Sequence, residues 1–403
     1  MPLQPRLHLD IGWGDIASIF MPLTQSRAEL IARIEAAWPA NSVPALSVRT
    51  ALDAMLTSLA LPKGAAVAMS AVTIQNMADV VRAHGLEPVP VDLDIATLAP
   101  PAAQIDHAVA TTGAQVYIHA HLYGSRNDLS EIAAVCHARG VVLIEDCAQG
   151  YTGVPPALPP LADISLYSFG PIKAQTCLGG AVAVCRTAET ASAIRAVLEA
   201  NAPMPEAWLR TRALKYAALK LLSSPLLYGF AFDVLRARGI DPDKAIGGTA
   251  RGFSGADLMS ALRRSPSRTL LRLLARRTAN AAEDAWRARA GALLDAELDG
   301  AFERAGAAAQ TQAFWLYAVL IDDPVAAMAT MRAAGFDATR GATSLRAITE
   351  GTNVATPEAA RLIEKVVYLP IAPSMSESTL RRMAQVLRDN VRPLRTIQEK
   401  VAA

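Results

Sequence analysis

The chain has 403 residues, of which 52% are hydrophobic and 19% charged, so it can bury a large core and is excluded from the disordered class. Its net charge of +2 gives no global case for nucleic acid as a partner. No apolar run approaches the ~20 residues that span a bilayer, the opening Met1–Arg6 lacks a secretory pattern, and the four cysteines form no C-x-x-C pair, so reduced thiols in a cytosolic protein are expected. In chain order, the strand candidates are Val67 to Ser70, Pro88 to Val91, Gln115 to His119, Val141 to Asp146, Ile164 to Ser168 and Ala181 to Cys185. Helical periodicity lies between them, for example over Ser130 to Ala138. Several strands are apolar on both faces, as in a central sheet covered by helices on both sides.

Two polar clusters fall at strand ends, where ligands bind in open α/β sheets. The strand Val141-Val142-Leu143-Ile144 delivers Glu145-Asp146-Cys147-Ala148-Gln149. The strand ending near Ser168 delivers Tyr167-Ser168-Phe169-Gly170-Pro171-Ile172-Lys173, followed by Gly179-Gly180. Lysine is scarce, with seven residues among 39 Lys and Arg, so one directly after an apolar Gly-Pro-Ile turn stands out. A carboxylate that keeps a pyridine nitrogen protonated, an amine that forms a Schiff base and a hydroxyl that binds phosphate together suit pyridoxal 5'-phosphate.

The arrangement resembles the DegT/DnrJ/StrS family of pyridoxal-phosphate-dependent sugar aminotransferases, whose pattern runs E-D-x-A-[HQ], S-F-x-x-x-K, then Gly-Gly. The likeness extends to Ser47-Val48-Arg49-Thr50-Ala51-Leu52, to the stretch from Val67 through Thr73-Ile74 to Asp92, to His121-Leu122-Tyr123-Gly124, and to Tyr368-Leu369-Pro370-Ile371. It implies that Asp146 partners the pyridinium, Gln149 neighbours the ring's 3-oxygen, Ser168 and Thr50 bind phosphate, and Lys173 carries the Schiff base. It also implies an α/β fold, the type I fold of pyridoxal-phosphate transferases. A large domain with a mostly parallel sheet and an N-terminal arm is expected over 1–245, and a smaller C-terminal α/β subdomain over 281–403. A homodimer is expected, because in this family the neighbouring subunit completes the site; no metal is expected.

The chain departs from the family pattern at three places. Arg49 stands where glycine usually precedes the phosphate-site Thr, and its guanidinium can itself serve a phosphate. Ile74 stands where an aromatic ring usually stacks on the cofactor. The family's N-Y-R signature is not legible; Arg251 or Ser254 is the candidate to replace it across a dimer interface. His121 and Cys177 read as packed residues, and Arg340 as a solvated arginine with a carboxylate-binding alternative.

The stretch from about 205 to 280 is both basic and apolar. Between Glu206 and Asn280 stand fourteen Lys and Arg against five Asp and Glu, an excess larger than the whole chain's net charge. Such an insertion fits helices lying on an anionic membrane, or gripping a lipid-linked substrate, and equally amphipathic helices packed on the domain with arginines in water. The expected activity is transfer of an amino group from an amino acid, glutamate or glutamine, to a keto group on a sugar nucleotide or a lipid-linked, amphiphilic acceptor. The protein would be cytosolic, or peripheral on the inner face of a membrane. Two alternatives remain: another pyridoxal-phosphate enzyme, of lyase or condensing type, acting on a lipid precursor, and a non-catalytic, membrane-associated protein of the same fold.

Overall fold

The protein is described from a computed structural model, which covers residues 2–6, 8–157, 160–240, 257–279, 285–349 and 354–394. Short runs rich in Val, Ile and Ala form the central sheet of seven strands: β1 (Ser42–Ala45), β2 (Ala66–Ser70), β4 (Glu87–Val91), β5 (Val116–Ala120), β7 (Val142–Asp146), β8 (Ile164–Ser168) and β9 (Ala181–Cys185). Their spatial order is β1-β9-β8-β7-β5-β2-β4. The pairings from β4 to β8 are parallel, whereas β9 runs antiparallel to both β8 and β1. Six of these strands match the sequence reading within a residue or so. The seventh, β1, is only four residues long and contains Pro44, which is tolerated because the strand lies at the sheet's edge.

Alternation along the strands divides the core into layers. Val67 and Met69 pack with Leu52, Met55 and Ile194 from helices on one face, while Ala68 and Tyr117 pack with Ile105, Ile132 and Cys136 on the other. A further layer joins Tyr167, Val182 and Val184 to Leu30 and Ile34, and to Leu209, Leu270 and Leu274. A separate C-terminal core surrounds the antiparallel pair β11 (Tyr317–Leu320) and β13 (Val366–Leu369), covered by the helices Ala285–Leu298, Pro324–Ala333 and Glu377–Asn390.

Three features tie this C-terminal unit to the sheet. The pair β3 (Val72–Ile74) and β12 (Leu345–Ala347), with Leu345 opposite Ile74, brings residues 340–346 over the strand ends. The short pair β6 (Ser125–Arg126) and β10 (Thr311–Gln312) joins them from the other side. The N-terminal arm is pinned by Arg6, whose Nε and Nη2 donate to the two oxygens of buried Asp337 at 2.6 and 2.8 Å; Arg332 and Tyr228 donate to the same carboxylate. A bidentate guanidinium with further donors compensates the burial of that charge.

The basic apolar stretch is not one thing. The helix Arg268–Ala279 packs in the core through Leu270, Leu271, Leu273 and Leu274. Its arginines are engaged within the chain: Arg272 donates to backbone carbonyls of Ser18, Met21 and Pro22, Arg276 pairs with Asp15, and Arg277 with Asp10 and Asp15. Arg263 likewise pairs with Asp53. For these residues the expectation of a membrane-facing surface is corrected, because the chain supplies their carboxylates and carbonyls. The helices Glu206–Leu222 and Pro225–Ala237 behave differently. They meet at a bend of 99°, and Leu214, Leu221, Leu222, Leu226, Leu227 and Phe230 are exposed, Leu226 and Phe230 by 75% and 70%. No single helix among the described residues is long and apolar enough to cross a membrane. Arg251 and Ser254, and the boundary expected at 245, lie outside the described residues.

Candidate active site

A cleft of about 490 Å³ opens where β5, β7 and β8 end and the Val48–Leu59 helix begins. Asp146, Gln149, Ser168, Lys173, Arg49 and Ile74 all line it. Residues separated by more than 120 positions in sequence are thus brought together because parallel strands deliver their C-terminal ends to one edge.

Asp146 closes β7 and is buried, and its Oδ1 accepts the backbone N–H of Ala148 at 2.9 Å. Burial raises its pKa, partly offset by that hydrogen bond and by the charge of Lys173. Gln149 is held by its Oε1, which accepts the Tyr123 N–H at 3.0 Å, leaving its amide hydrogens for another acceptor. Ser168 ends β8, and its Oγ lies 3.4 Å from the Gly170 nitrogen. Ile74 ends β3 opposite Leu345, so an aliphatic face and not a ring is presented to the cleft.

Lys173 follows a tight turn closed by its N–H to the Gly170 carbonyl. Its Nζ lies 4.0 Å from the ring centroid of Trp315, whose own indole N–H donates to the Ile172 carbonyl at 2.9 Å. Gly124 lets the backbone that carries Trp315 approach closely: it adopts φ +101°, and a Cβ there would lie 2.5 Å from the Trp315 backbone nitrogen. Trp315 was not foreseen from the sequence, since its partner lies some 140 residues away and no local pattern connects them. Burial lowers the Lys173 pKa to about 8, against the pull of Asp146 and with the help of Arg49. The amine should therefore capture aldehydes, including pyridoxal 5'-phosphate, at a rate that climbs with pH to about 8 and then levels, as stopped-flow absorbance can follow. A rate still climbing at pH 10 would contradict this environment. Because the folded pKa lies below the ordinary 10.5, the folded chain releases this proton first, so the group's contribution to stability grows as pH rises from about 8 towards 10.5.

Thr50 is placed differently from expectation. Its hydroxyl is fully buried, donates to the Leu262 carbonyl at 3.1 Å, and is absent from the cleft lining. Ser47 lines the cleft instead, capping the Val48–Leu59 helix by accepting the Thr50 N–H at 3.1 Å. Arg49 is also in the cleft, with Nη1 donating to Asn76 Oδ1 at 2.8 Å. Arg340 belongs to the lining too, although it is exposed and donates to the Ile363 carbonyl; Arg346 joins it from β12.

Behind the cleft, Glu145 accepts from His121 Nε2 at 2.8 Å and is bonded to Arg126 and Ser165. Burial opposes its charge, but these partners outweigh that cost and hold its pKa low. His121 is thus the hydrogen-bonded, packed histidine expected, though it also borders the cleft. Cys177 is buried with its pKa pushed up by burial, as a packing residue requires.

The charge balance of the cleft is informative. Among its described lining residues Asp146 is the sole carboxylate, facing Arg49, Lys173, Arg212, Arg340 and Arg346. Such a site favours anionic ligands. The set also fits pyridoxal 5'-phosphate: a buried carboxylate for the ring nitrogen, an amide for the 3-oxygen, a depressed amine for the aldehyde, and hydroxyls with a helix N-terminus for the phosphate.

Comparison with known proteins agrees. The chain resembles solved structures over nearly its whole length: the sugar aminotransferase CalS13 from Micromonospora echinospora (TM-score 0.69, 17% identity, covering 96% of this chain and 100% of that one) and the aminotransferase TlmJ from Streptoalloteichus hindustanus (0.68, 18%, 96% and 98%). The α/β type I fold expected from sequence is therefore the fold observed. Among curated relatives, a pleiotropic regulatory protein of Geobacillus stearothermophilus is 34% identical over 127 residues, which are 30% of this chain and 33% of the relative. An L-glutamine:2-deoxy-scyllo-inosose aminotransferase of Streptoalloteichus tenebrarius is 29% identical over 154 residues, 38% of this chain and 36% of the relative. The chain thus spans about a third of the length of these curated relatives. Residues 40–216, which contain Lys173, Asp146, Gln149 and Ser168, match the model of the DegT/DnrJ/EryC1/StrS aminotransferase family.

Proposed function

We propose that the protein is a pyridoxal-phosphate-dependent aminotransferase that moves an amino group from glutamate or glutamine to a keto group on a phosphate-bearing sugar, acting as a homodimer. The convergence of Lys173, Asp146, Gln149 and Ser168 in one cationic cleft carries this reading. Pyridoxal phosphate, when bound, supplies an electron sink that makes a proton on the adjacent carbon of the amine substrate labile. The protein's own residues do the rest. Asp146 keeps the ring nitrogen protonated. Lys173, with a pKa of about 8, can both accept and return a proton near neutral pH, which suits the transfer of a proton between two carbons. Ala148 and Ile74 form apolar parts of the cleft wall, and residues 340–346 line it from the C-terminal unit. Arg340 or Arg346 would receive the donor's carboxylate.

The test is spectroscopic. Protein loaded with pyridoxal phosphate should show a visible band that bleaches on adding glutamate or glutamine and returns with a keto-sugar nucleotide. A band that bleaches with release of carbon dioxide or coenzyme A instead favours a lyase or condensing enzyme, and absence of a band favours the non-catalytic reading.

A second reading of the acceptor, as a lipid-linked sugar, is favoured by the exposed apolar bend at Leu221–Phe230 flanked by Arg210, Lys215, Arg236 and Arg238. If the bend docks on an anionic surface, the protein should sediment with vesicles containing anionic lipid, and less so as salt rises, each cation contributing about 1 kcal/mol. Changing those four cations to Gln should abolish sedimentation and leave the cofactor band intact. No sedimentation at low salt would remove the membrane-docking reading of the bend.

A further inference from the structure

The helix Glu206–Leu222 does more than present an exposed face. Its Leu209, Ala213 and Tyr216 are buried in the core that also holds Leu270 and Leu274, and the Glu206 carboxylate accepts the N–H groups of Arg268 and Thr269. The helix is therefore fixed through one face against the core, and its start is held by the Glu206 carboxylate. Two of its residues, Trp208 and Arg212, one turn apart, line the cleft.

Their surroundings are specific. The Trp208 ring lies against Gly179, where a Cβ would come within 2.9 Å of it, so only glycine lets the indole approach. Arg212 stacks on Trp208 with its guanidinium carbon 4.6 Å from the ring centroid, and its Nε donates to the Leu178 carbonyl at 2.8 Å. Two residues on, the Gly180 N–H donates to the Leu46 carbonyl, which adjoins Ser47 at the start of the Val48–Leu59 helix. The Arg212 guanidinium is thereby held at the same end of the cleft as Ser47 and Arg49, and the Arg49 pKa is lowered to about 10 by burial and then by the charge of Arg212. Two guanidinia brought together in a partly buried corner repel one another; a dianion between them reverses that cost.

We infer that Arg212 and Arg49, with Ser47 and the start of the Val48–Leu59 helix, bind a phosphate ester, and that Trp208 is the platform that aims Arg212 at it. The planar fork of arginine matches phosphate oxygens bidentately, and stacking on an indole fixes its plane in advance. The Glu206–Leu222 helix thus supplies, from within the same chain, a cation at the phosphate corner of the cleft. The phosphate can be that of the cofactor, in which case the inference rests on the function proposed above, or that of a nucleotide-bearing substrate.

Binding measurements on the apo protein, without turnover, separate these sources. Titration with pyridoxal 5'-phosphate and, separately, with pyridoxal is followed by absorbance for wild type, R212Q, R212K and W208F. The apo and the cofactor-loaded proteins are then titrated with uridine diphosphate. If the cofactor supplies the phosphate, R212Q weakens pyridoxal 5'-phosphate binding at least tenfold and leaves pyridoxal binding unchanged, with R212K and W208F intermediate. If the substrate supplies it, pyridoxal 5'-phosphate binding is kept and uridine diphosphate binding falls tenfold. Equal loss of pyridoxal and its phosphate, or no loss of any ligand, would overturn the inference. Wild-type protein that binds uridine diphosphate through Arg212 but neither pyridoxal form would refute the proposed function and leave the phosphate corner standing. Should R212Q fail to fold, as its thermal unfolding would reveal, R212K and W208F carry the same comparison.

Discussion

Lys173→Ala should abolish covalent attachment of pyridoxal phosphate and lower transamination roughly 100- to 10,000-fold, the range that loss of a positioned proton carrier produces. The loss of covalent chemistry adds to this. Lys173 combines two properties that no other described lysine shares: it lines the cleft, and burial brings its pKa to about 8. Alanine should leave the fold intact, because the contact made by the Lys173 amine is with the Trp315 ring, at the cleft and outside the apolar core. Borohydride reduction of wild type followed by peptide mapping checks the assignment directly. Cofactor found on Lys215, Lys220 or another lysine would refute it.

Asp146→Asn has the second-largest expected effect, and it separates charge from shape. The amide oxygen can still accept the Ala148 N–H at the end of β7, so cofactor binding should survive in good part. The charge is what is lost. Removing one partner from a buried ion pair costs about 3–5 kcal/mol, which corresponds to a fall in turnover of roughly 100- to several-thousand-fold if the protonated pyridine is required for the chemical step. Single-turnover kinetics with glutamate, compared at equal cofactor occupancy, provide the measurement. Turnover within a factor of a few of wild type would remove Asp146 from the role.

Much of the architecture was legible because it is written locally. Strands such as Val142–Asp146 and Ile164–Ser168 are short, largely apolar runs, and the polar clusters directly after them could be assigned to the ends of parallel strands without knowing the strand order. The spacing of Asp146, Gln149, Ser168 and Lys173 was sufficient to place one end of the cleft. His121 could also be read as packed from its place at a strand end, and Cys177 from the lack of an adjacent base in the sequence.

What the sequence could not decide was which partner each side chain would meet across the fold. Thr50 sits one turn into a helix whose start faces the cleft, yet its hydroxyl bonds to Leu262, a contact spanning 212 positions. Trp315 reaches Lys173 across 142 positions, on a backbone segment that packs closely against Gly124. In the basic stretch, 206–237 and 263–277 are both leucine-rich and net positive, but the outcomes diverge. Arg272, Arg276 and Arg277 are consumed by carbonyls and carboxylates of the N-terminal segment, Arg212 is turned into the cleft, and the leucines around 221–227 remain exposed. Local pattern determined the elements and the cofactor-facing motif by itself, because strand, turn and helix preferences act over a few residues. Pairing of charges and filling of space act between distant residues, so the tertiary structure alone decided which cations serve the site, which brace the core and which face outward.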